Sequence, residues 1–262
     1  MRFLGVDLAW KDGNPSGVAL LAGERLPLHL EETPHTLSGH RTVLEWMRHH
    51  VETHPAAVGI DAPLLGLDTV GHRVAEKEIA ARFQRYDAPA YPPPKDLDLR
   101  SFVGSLHRHW PVEAFGPEHV PARRNPAIRE VYPNALQVGL FRLNEIANSK
   151  IVKYKRKKKR FTGKADWAEH GLKPFVACCS QAVFERNLIT RDSIWEAFVE
   201  DAPDASKTAA QLKSVEDRWD ALLCALAVAL EFLEQGSMRF YPDGAEAWRR
   251  GYILAPALPC PR

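Results

Sequence analysis

Two short apolar runs, each carrying an aspartate at its end, constrain the fold of this chain more than any other feature. The first covers residues 3–8 and contains Asp7, and the second covers residues 56–61 and closes on Asp61. Apolar runs of this length are typical of buried strands. Ala62-Pro63 follows the second run, and because proline cannot donate to a sheet ladder, the strand is predicted to end there. The sequence therefore predicts two buried strands that each present a carboxylate.

The segments around these two strands predict a mixed α/β fold. Turn-forming residues at 11–17 precede an apolar stretch at 18–21, which predicts a hairpin returning antiparallel to the first strand. A third strand is predicted around residues 25–30, followed by an amphipathic helix and then the second aspartate-bearing strand. This order is the opening of an RNase-H-like domain, a mixed central sheet flanked by helices. In such a sheet Asp7 and Asp61 would be neighbours.

Length and composition predict one domain. The chain has 262 residues, of which 45% are hydrophobic, so it can bury a substantial core. The sequence has no internal repeat and no segment that resembles a linker. We predict a single domain over residues 1–262, with helical and loop insertions around residues 70–175.

The last long helix, predicted from Ser214 to about Gln235, carries two further acids. Asp217 and Asp220 are three residues apart and therefore share one face of the helix. Asp217 has an alternative role, because Ser214 followed by Asp217 fits a capping box at the helix start. Asp220 lies a turn further in, beside apolar residues, which favours a functional role.

These four acids are predicted to form a metal site. Neighbouring carboxylates repel each other, and burial raises their pKa values, so the arrangement is costly unless a cation is bound. Carboxylate oxygens are the ligands that Mg²⁺ and Mn²⁺ prefer. The predicted metal ligands are Asp7, Asp61, Asp217 and Asp220. Glu130, on a predicted short strand, is a fifth candidate catalytic residue, or else a surface ion-pair partner.

A strongly basic segment points to a nucleic-acid partner. Nine cationic residues and no acid lie between Lys150 and Lys164. Tyr154 and Phe161 flank the densest part, a pattern that suits contact with a phosphate backbone and stacking of a base. The alternative is a solvated loop with no specific role. The residues predicted to bind nucleic acid are Lys153, Lys155, Arg156, Lys157, Lys158, Lys159 and Arg160.

Cysteine spacing and hydropathy exclude other classes. The four cysteines show no spacing typical of a zinc ribbon or a disulfide framework, so we expect reduced thiols. No apolar stretch approaches the roughly 20 residues of a membrane span. A cytoplasmic location without membrane association is therefore expected.

Five motifs carry a resemblance to a known family. They are Gly5-Val6-Asp7-Leu8-Ala9-Trp10, Gly59-Ile60-Asp61-Ala62-Pro63-Leu64, Glu130-Val131-Tyr132-Pro133, Glu216-Asp217-Arg218-Trp219-Asp220-Ala221-Leu222 and Gly251-Tyr252-Ile253-Leu254. In order and spacing they resemble the landmarks of a widespread family of predicted nucleases with an RNase-H-like fold. That family often carries His-Pro-Glu where this chain has Tyr132-Pro133-Asn134, so a second acid is absent here. The resemblance implies an RNase-H-like nuclease.

The favoured hypothesis is a metal-dependent nuclease that hydrolyses phosphodiester bonds at an acidic two-metal site. Asp7 would bridge the ions, Asp61 and Asp220 would hold one each, and Glu130 or Asp217 would complete the shell. One alternative is a non-catalytic nucleic-acid-binding protein. Another is an ATP-dependent phosphotransferase of the actin and sugar-kinase type, although such proteins place glycines and hydroxyls where this chain has Leu8-Ala9-Trp10.

Overall fold

The computed structural model describes residues 1–68, 71–92, 97–156, 160–244 and 247–258. These residues form a mixed six-stranded sheet with helices packed against it, and a separate antiparallel pair of strands. The prediction of a mixed α/β sheet flanked by helices is confirmed. The six strands of the large sheet are β1 (Arg2–Asp7), β2 (Pro15–Ala22), β3 (His29–Leu30), β4 (His35–Ser38), β5 (Ala56–Ile60) and β6 (Ala127–Glu130).

The helices fill the connections, and the small strand pair lies near the end of the chain. The helices are α1 (His40–Thr53), α2 (Val74–Phe83), α3 (Leu97–His109), α4 (Pro133–Leu140), α5 (Lys164–Trp167), α6 (Lys173–Glu185), α7 (Ser193–Glu200) and α8 (Ala209–Leu233). A π-helical segment, Ala168–Leu172, joins α5 to α6. The small pair is β7 (Met238–Tyr241) with β8 (Ile253–Pro256). Among the described residues, no helix combines the length and the apolar character that a membrane span requires.

The order of the strands brings the acidic strand ends to one edge of the sheet. The order is β3-β2-β1-β5-β6, and β4 also pairs with β2. β1 runs antiparallel to β2, while β5 is parallel to both β1 and β6. Val6 lies opposite Ile60, and Ile60 lies opposite Glu130. Because parallel strands end at the same edge, Asp7, Asp61 and Glu130 follow one another along that edge.

The predicted third strand is divided into two pieces. The prediction placed it around residues 25–30, whereas only His29–Leu30 pairs with β2 there, and His35–Ser38 pairs with β2 further along. The predicted insertion also contains part of the sheet. β6 falls within residues 70–175 and pairs with β5, so the added helices and loops lie on both sides of that strand.

Hydrophobic layers cover both faces of the sheet. Phe3 and Leu21 pack on one face with α6 and α8. Leu4 and Val58 pack on the other face with α1 and α3. The alternation of Phe3 and Leu4 between the faces follows from the two-residue period of a strand. This two-sided burial explains why the strand sequences read as nearly continuous apolar runs.

Helix α8 begins earlier than the sequence predicted. The predicted capping box of Ser214 and Asp217 is wrong, because the helix starts at Ala209 and Thr208 and Gln211 form the capping box. The Thr208 hydroxyl accepts a hydrogen bond from the Gln211 N–H, and the Gln211 side chain accepts one from the Thr208 N–H. Asp217 therefore lies well inside the helix and is free of any capping role.

Three glycines allow the backbone of α8 to lie directly on the sheet. A Cβ atom at Gly5 of β1 would lie 1.9 Å from the carbonyl oxygen of Ala221. At Gly17 of β2 it would lie 2.0 Å from the carbonyl oxygen of Asp217, and at Gly59 of β5 2.3 Å from that of Cys224. The close approach needs the missing side chains, since each clash would be with helix backbone. It fixes the height and the register of the acids on α8.

Gly5→Ala is expected to lower the free energy of unfolding by about 3 kcal/mol or more, at the upper end of overpacking costs, because the blocking atom is backbone and cannot rotate away. Gly104→Ala in α3 is the control, since a Cβ atom there meets only the end of the Arg108 side chain at 3.6 Å. Chemical denaturation measures both. Equal stabilities of the two variants would contradict the proposed role of Gly5.

Candidate functional site

Asp7 and Asp61 lie side by side at the edge of the sheet. Asp7 is the last residue of β1, and Asp61 directly follows β5. The backbone N–H of Asp61 donates to the Val6 carbonyl at 2.8 Å, which continues the ladder between the two strands to the site. Each side chain is only partly buried. The predicted neighbourhood of Asp7 and Asp61 therefore agrees with the sheet register.

Helix α8 adds the remaining acids from above the sheet. Asp217 is buried, and it lines the same cavity as Asp7. Asp220 is completely buried, and its Oδ1 accepts a hydrogen bond from the Tyr154 hydroxyl. Glu216 is also buried, and its Oε2 has no hydrogen-bond partner. The structure thus brings together Asp7, Asp61, Asp217 and Asp220, and adds Glu216.

Lys155 joins this cluster from the basic segment. Its Nζ lies 3.0 Å from Asp220 Oδ2 and 3.7 Å from Asp61 Oδ2. The contact between Lys155 Nζ and Asp220 Oδ2 has the distance of an ion pair, but its geometry is not that of a hydrogen bond. Lys155 was predicted only as a nucleic-acid contact. Its position between two carboxylates gives it a role inside the site.

A second lysine neutralises the α8 acids from their own helix. Lys213 Nζ lies 2.6 Å from Glu216 Oε1 and 2.5 Å from Asp217 Oδ1. Neither Glu216 nor Lys213 was predicted from the sequence to be a site residue. Their spacing is the available signal, because residues three and four apart on a helix meet on one face.

The electrostatics of the cluster favour protonated carboxyls when no metal is bound. Burial raises the pKa of Asp61 to about 7, with Lys155 opposing and Asp7 adding to the rise. Burial raises the pKa of Asp220 to about 7 as well, again against Lys155. The pKa of Asp217 rises to about 8, first through burial and then through the neighbouring Asp7. The positive charge of Lys155 and Lys213 is therefore too small to keep all of these carboxyls ionised at neutral pH.

The acids open onto a cavity of about 400 Å³. Its acidic lining consists of Asp7, Asp61, Glu216 and Asp217, and its basic lining of Lys11, Lys155 and Lys213. Asp220 does not line the cavity. The half-exposed ring of Trp10 stands at its wall.

Glu130 occupies a separate cluster behind Asp61. Its Oε2 accepts hydrogen bonds from the Leu64 N–H at 3.0 Å and from Arg73 Nη1 at 2.9 Å. Arg73 Nη2 also donates to Glu130 Oε1, and the same guanidinium pairs with Glu76. Glu130 thereby ties the segment after Asp61 to the start of α2, and both of its oxygens are engaged.

The basic segment divides into buried and surface parts. Tyr154, predicted to stack a base, is instead completely buried against Phe175, with ring centroids 3.6 Å apart. Lys153 pairs with Asp87 at 3.9 Å. Arg156 lies over the Trp167 ring, and Arg160 donates to the Lys155 carbonyl. Lys157, Lys158 and Lys159 lie outside the described residues.

The comparisons with known proteins give one match. A family model described as "Protein of unknown function (DUF429)" matches residues 5–247. The chain belongs to the DUF429 family. The range shared with this family contains all five predicted acids. Neither the curated proteins nor the solved structures include a match to this DUF429 chain.

The donor chemistry of the DUF429 site suits a hard divalent cation. All the acids supply carboxylate oxygens, and the buried Glu216 Oε2 has no partner, as expected where a positive charge is still needed. Within the described ranges, however, no three His, Cys, Asp or Glu residues are already arranged to hold an ion. The residues fit a metal in type, and binding one requires the carboxylates to move closer together.

Two buried cysteines lie close enough to the acidic cluster to be influenced by its charge. Cys178, Cys179 and Cys224 are free thiols, and Cys260 lies outside the described residues. Burial raises the pKa of Cys179 and Cys224 well above the usual value, which makes both thiols unreactive.

The raised pKa values predict that the metal-free protein becomes less stable as the pH rises from about 4 to about 8. The sign follows because the folded state holds protons on Asp61, Asp217 and Asp220 that the unfolded chain has already released, so stability falls with pH in that window. Chemical denaturation in the presence of a chelator measures this slope.

Asp217→Asn mimics the protonated carboxyl and should flatten the slope. Asp68→Asn is the matched control, because Asp68 is fully exposed and pairs with Arg100 at the surface. If stability falls with pH as steeply in Asp217→Asn as in Asp68→Asn and the unmodified protein, protonation of Asp217 does not contribute to folding stability as described.

Proposed function

We propose that this DUF429 protein is a metal-dependent phosphodiesterase of the RNase-H-like kind that hydrolyses nucleic acid. The observation that carries the proposal is the convergence of Asp7, Asp61 and Asp217, from three separate parts of the chain, on one cavity. Acids placed at such cost to the metal-free fold are typical of functional sites. Fold alone does not define activity, so the argument rests on the site.

The strand order supports the RNase-H-like assignment. The first strand is central, its hairpin partner is antiparallel, and the strand after the first helix is parallel beside it. β3 and β4 together take the place of the third strand, since both pair with β2. The acids lie at the ends of β1 and β5, where the resemblance in the sequence implies a catalytic site.

The residues that would hold Mg²⁺ or Mn²⁺ are Asp7, Asp61 and Asp217. Asp7 is central among them, because it neighbours Asp61 across the sheet and Asp217 on the helix. A bound divalent ion supplies a more acidic water and stabilises the charge that develops on the phosphate. The protein supplies orientation. Lys213 restrains Asp217, and the Glu130–Arg73 pair fixes the segment that follows Asp61.

Cationic side chains near the cavity would attract a phosphate backbone. Lys11, Lys155 and Lys213 line the cavity itself. Arg156 and Arg160 extend the positive charge along the adjoining segment. A polyanion is the substrate that such a distribution favours, since local charge rather than the net charge of +2 steers its approach.

Asp7→Asn is expected to reduce Mn²⁺-dependent cleavage of mixed single- and double-stranded DNA and RNA by at least about 100-fold. Residues that only hydrogen-bond to metal ligands already contribute about 10- to 100-fold to activity, and a ligand itself should contribute more. The fold should persist, since the substitution removes a negative charge from an overcrowded cluster. Gel-based cleavage and thermal melting measure the two effects.

Asp68→Asn serves as the control variant and should cleave normally. An Asp7→Asn protein as active as Asp68→Asn would refute the proposed site. Tight nucleic-acid binding without metal and without cleavage by the unmodified protein would favour the non-catalytic alternative.

The joint replacement Arg156→Gln and Arg160→Gln should weaken nucleic-acid binding and reduce the dependence of log affinity on log salt by about 1 to 2, since each lost phosphate contact contributes about 0.7 to 0.9. Lys173→Gln is a suitable control, because Lys173 is exposed and pairs with Glu169 on its own helical face. Fluorescence anisotropy at several salt concentrations gives the slopes. An unchanged slope in the double variant would remove these arginines from the interface.

A further inference from the structure

We propose that Lys155 is a built-in cation that takes the place of one of two metal ions, so that the site holds a single divalent ion. The inference deepens the proposed function and rests on it. It also assigns a different role to Asp220. Instead of binding an ion, Asp220 anchors Lys155.

Asp220 has one hydrogen-bonded oxygen and one ion-paired oxygen, and it is closed off from the cavity. It is completely buried and absent from the cavity lining. Its Oδ1 accepts the Tyr154 hydroxyl, and its Oδ2 lies 3.0 Å from Lys155 Nζ. An ion bound by Asp220 would have to displace this ammonium group. The acids that remain accessible are those of the cavity wall.

The anchor below Lys155 is rigid. The ring of Tyr154 stacks on Phe175 at an interplanar angle of 4°. The carbonyl of Tyr154 accepts a hydrogen bond from Trp167 Nε1 at 2.7 Å. Because Tyr154 precedes Lys155 in the chain, this packing determines where the lysine side chain begins. Folding therefore places the ammonium group between Asp61 and Asp220, as opposed to leaving it on a solvated loop.

Lys155 carries the charge that the position requires. A lysine ammonium group carries a positive charge at neutral pH, and this one has acidic neighbours on two sides. It pairs with one carboxylate from the sheet and one from α8. A metal ion joining Asp61 to Asp220 would make the same two connections.

The remaining acids supply enough carboxylates for one ion, once they move closer together around it. Asp7, Asp61, Glu216 and Asp217 all line the cavity. In two-metal sites the ions lie about 4 Å apart. A second divalent ion at that spacing would approach the Lys155 ammonium, and the repulsion between like charges opposes it. Lys155 itself lines the cavity and can meet a substrate phosphate there.

The test is Mn²⁺ binding to the purified 262-residue chain, measured by isothermal titration calorimetry and by the electron paramagnetic resonance signal of free Mn²⁺. The unmodified protein should bind one ion per chain. Lys155→Arg should also bind one, because it retains the charge. Lys155→Met should bind a second ion at Asp61 and Asp220, or bind the first at least about tenfold more tightly, since a competing cation is gone.

Asp220→Asn gives a second route in case Lys155→Met does not fold. It should still bind one ion, with an affinity within about tenfold of the unmodified protein, as expected of a residue outside the metal ligands. Asp7→Asn, which removes a ligand, should lose at least about 100-fold in the same assay.

The outcomes separate the two proposals. Two ions per unmodified chain, or one ion with unchanged affinity in Lys155→Met, would overturn the role of Lys155 while leaving the metal site in place. Equal losses in Asp220→Asn and Asp7→Asn would overturn the anchoring role of Asp220. No Mn²⁺ bound to the unmodified protein at millimolar concentration would overturn the proposed function itself.

Discussion

The close contact between the backbone of α8 and the three strand glycines controls the rest of this structure. Gly5, Gly17 and Gly59 lie on adjacent strands, and a side chain on any of them would collide with the carbonyl of a residue in α8. Most helices rest on a sheet through layers of side chains. Here the helix lies lower, so the carboxylates of Asp217 and Asp220 reach the edge of the sheet where β1 and β5 end. The acidic cluster is a consequence of this packing.

That cluster is costly to the protein when it is metal-free. Five acids meet two lysines, and the difference is seen in the raised pKa values of Asp61, Asp217 and Asp220. A cluster built only for stability would replace some of these carboxylates by apolar groups, because unpaired buried charge is unfavourable. The protein instead retains them and restrains the most buried one with Tyr154 and Lys155. This excess of negative charge is the property that a divalent cation would satisfy.

Much of this arrangement could be predicted from the sequence, and the physical reasons for the remainder are specific. Apolar runs ending near Asp7 and at Asp61 identified two neighbouring strands, because strands buried on both faces have nearly continuous apolar sequences. The start of α8 was misplaced since Ser214 and Asp217 imitate a capping box that Thr208 and Gln211 actually form. A capping box is a four-residue pattern, and two stretches of this chain fit it. The packing of the folded chain decides which of the two begins the helix.

The role of Lys155 was beyond sequence reasoning for a different reason. A dense run of cations indicates a solvated surface, and nothing in its composition singles out one member for burial. The stacking of Tyr154 on Phe175 and the hydrogen bond from Trp167 to the Tyr154 carbonyl position the next side chain inside the site. Glu130 shows the opposite case, since its strand-end position resembled that of the other acids, yet Arg73 engages both of its oxygens.

X-ray diffraction from crystals soaked in Mn²⁺, collected near the manganese absorption edge, would locate an ion bound by the acidic cluster. We expect one anomalous peak between the carboxylates of Asp7, Asp61 and Asp217, with the Lys155 ammonium still beside Asp220. The absence of an anomalous peak at this edge of the sheet would show that these acids do not form a metal site.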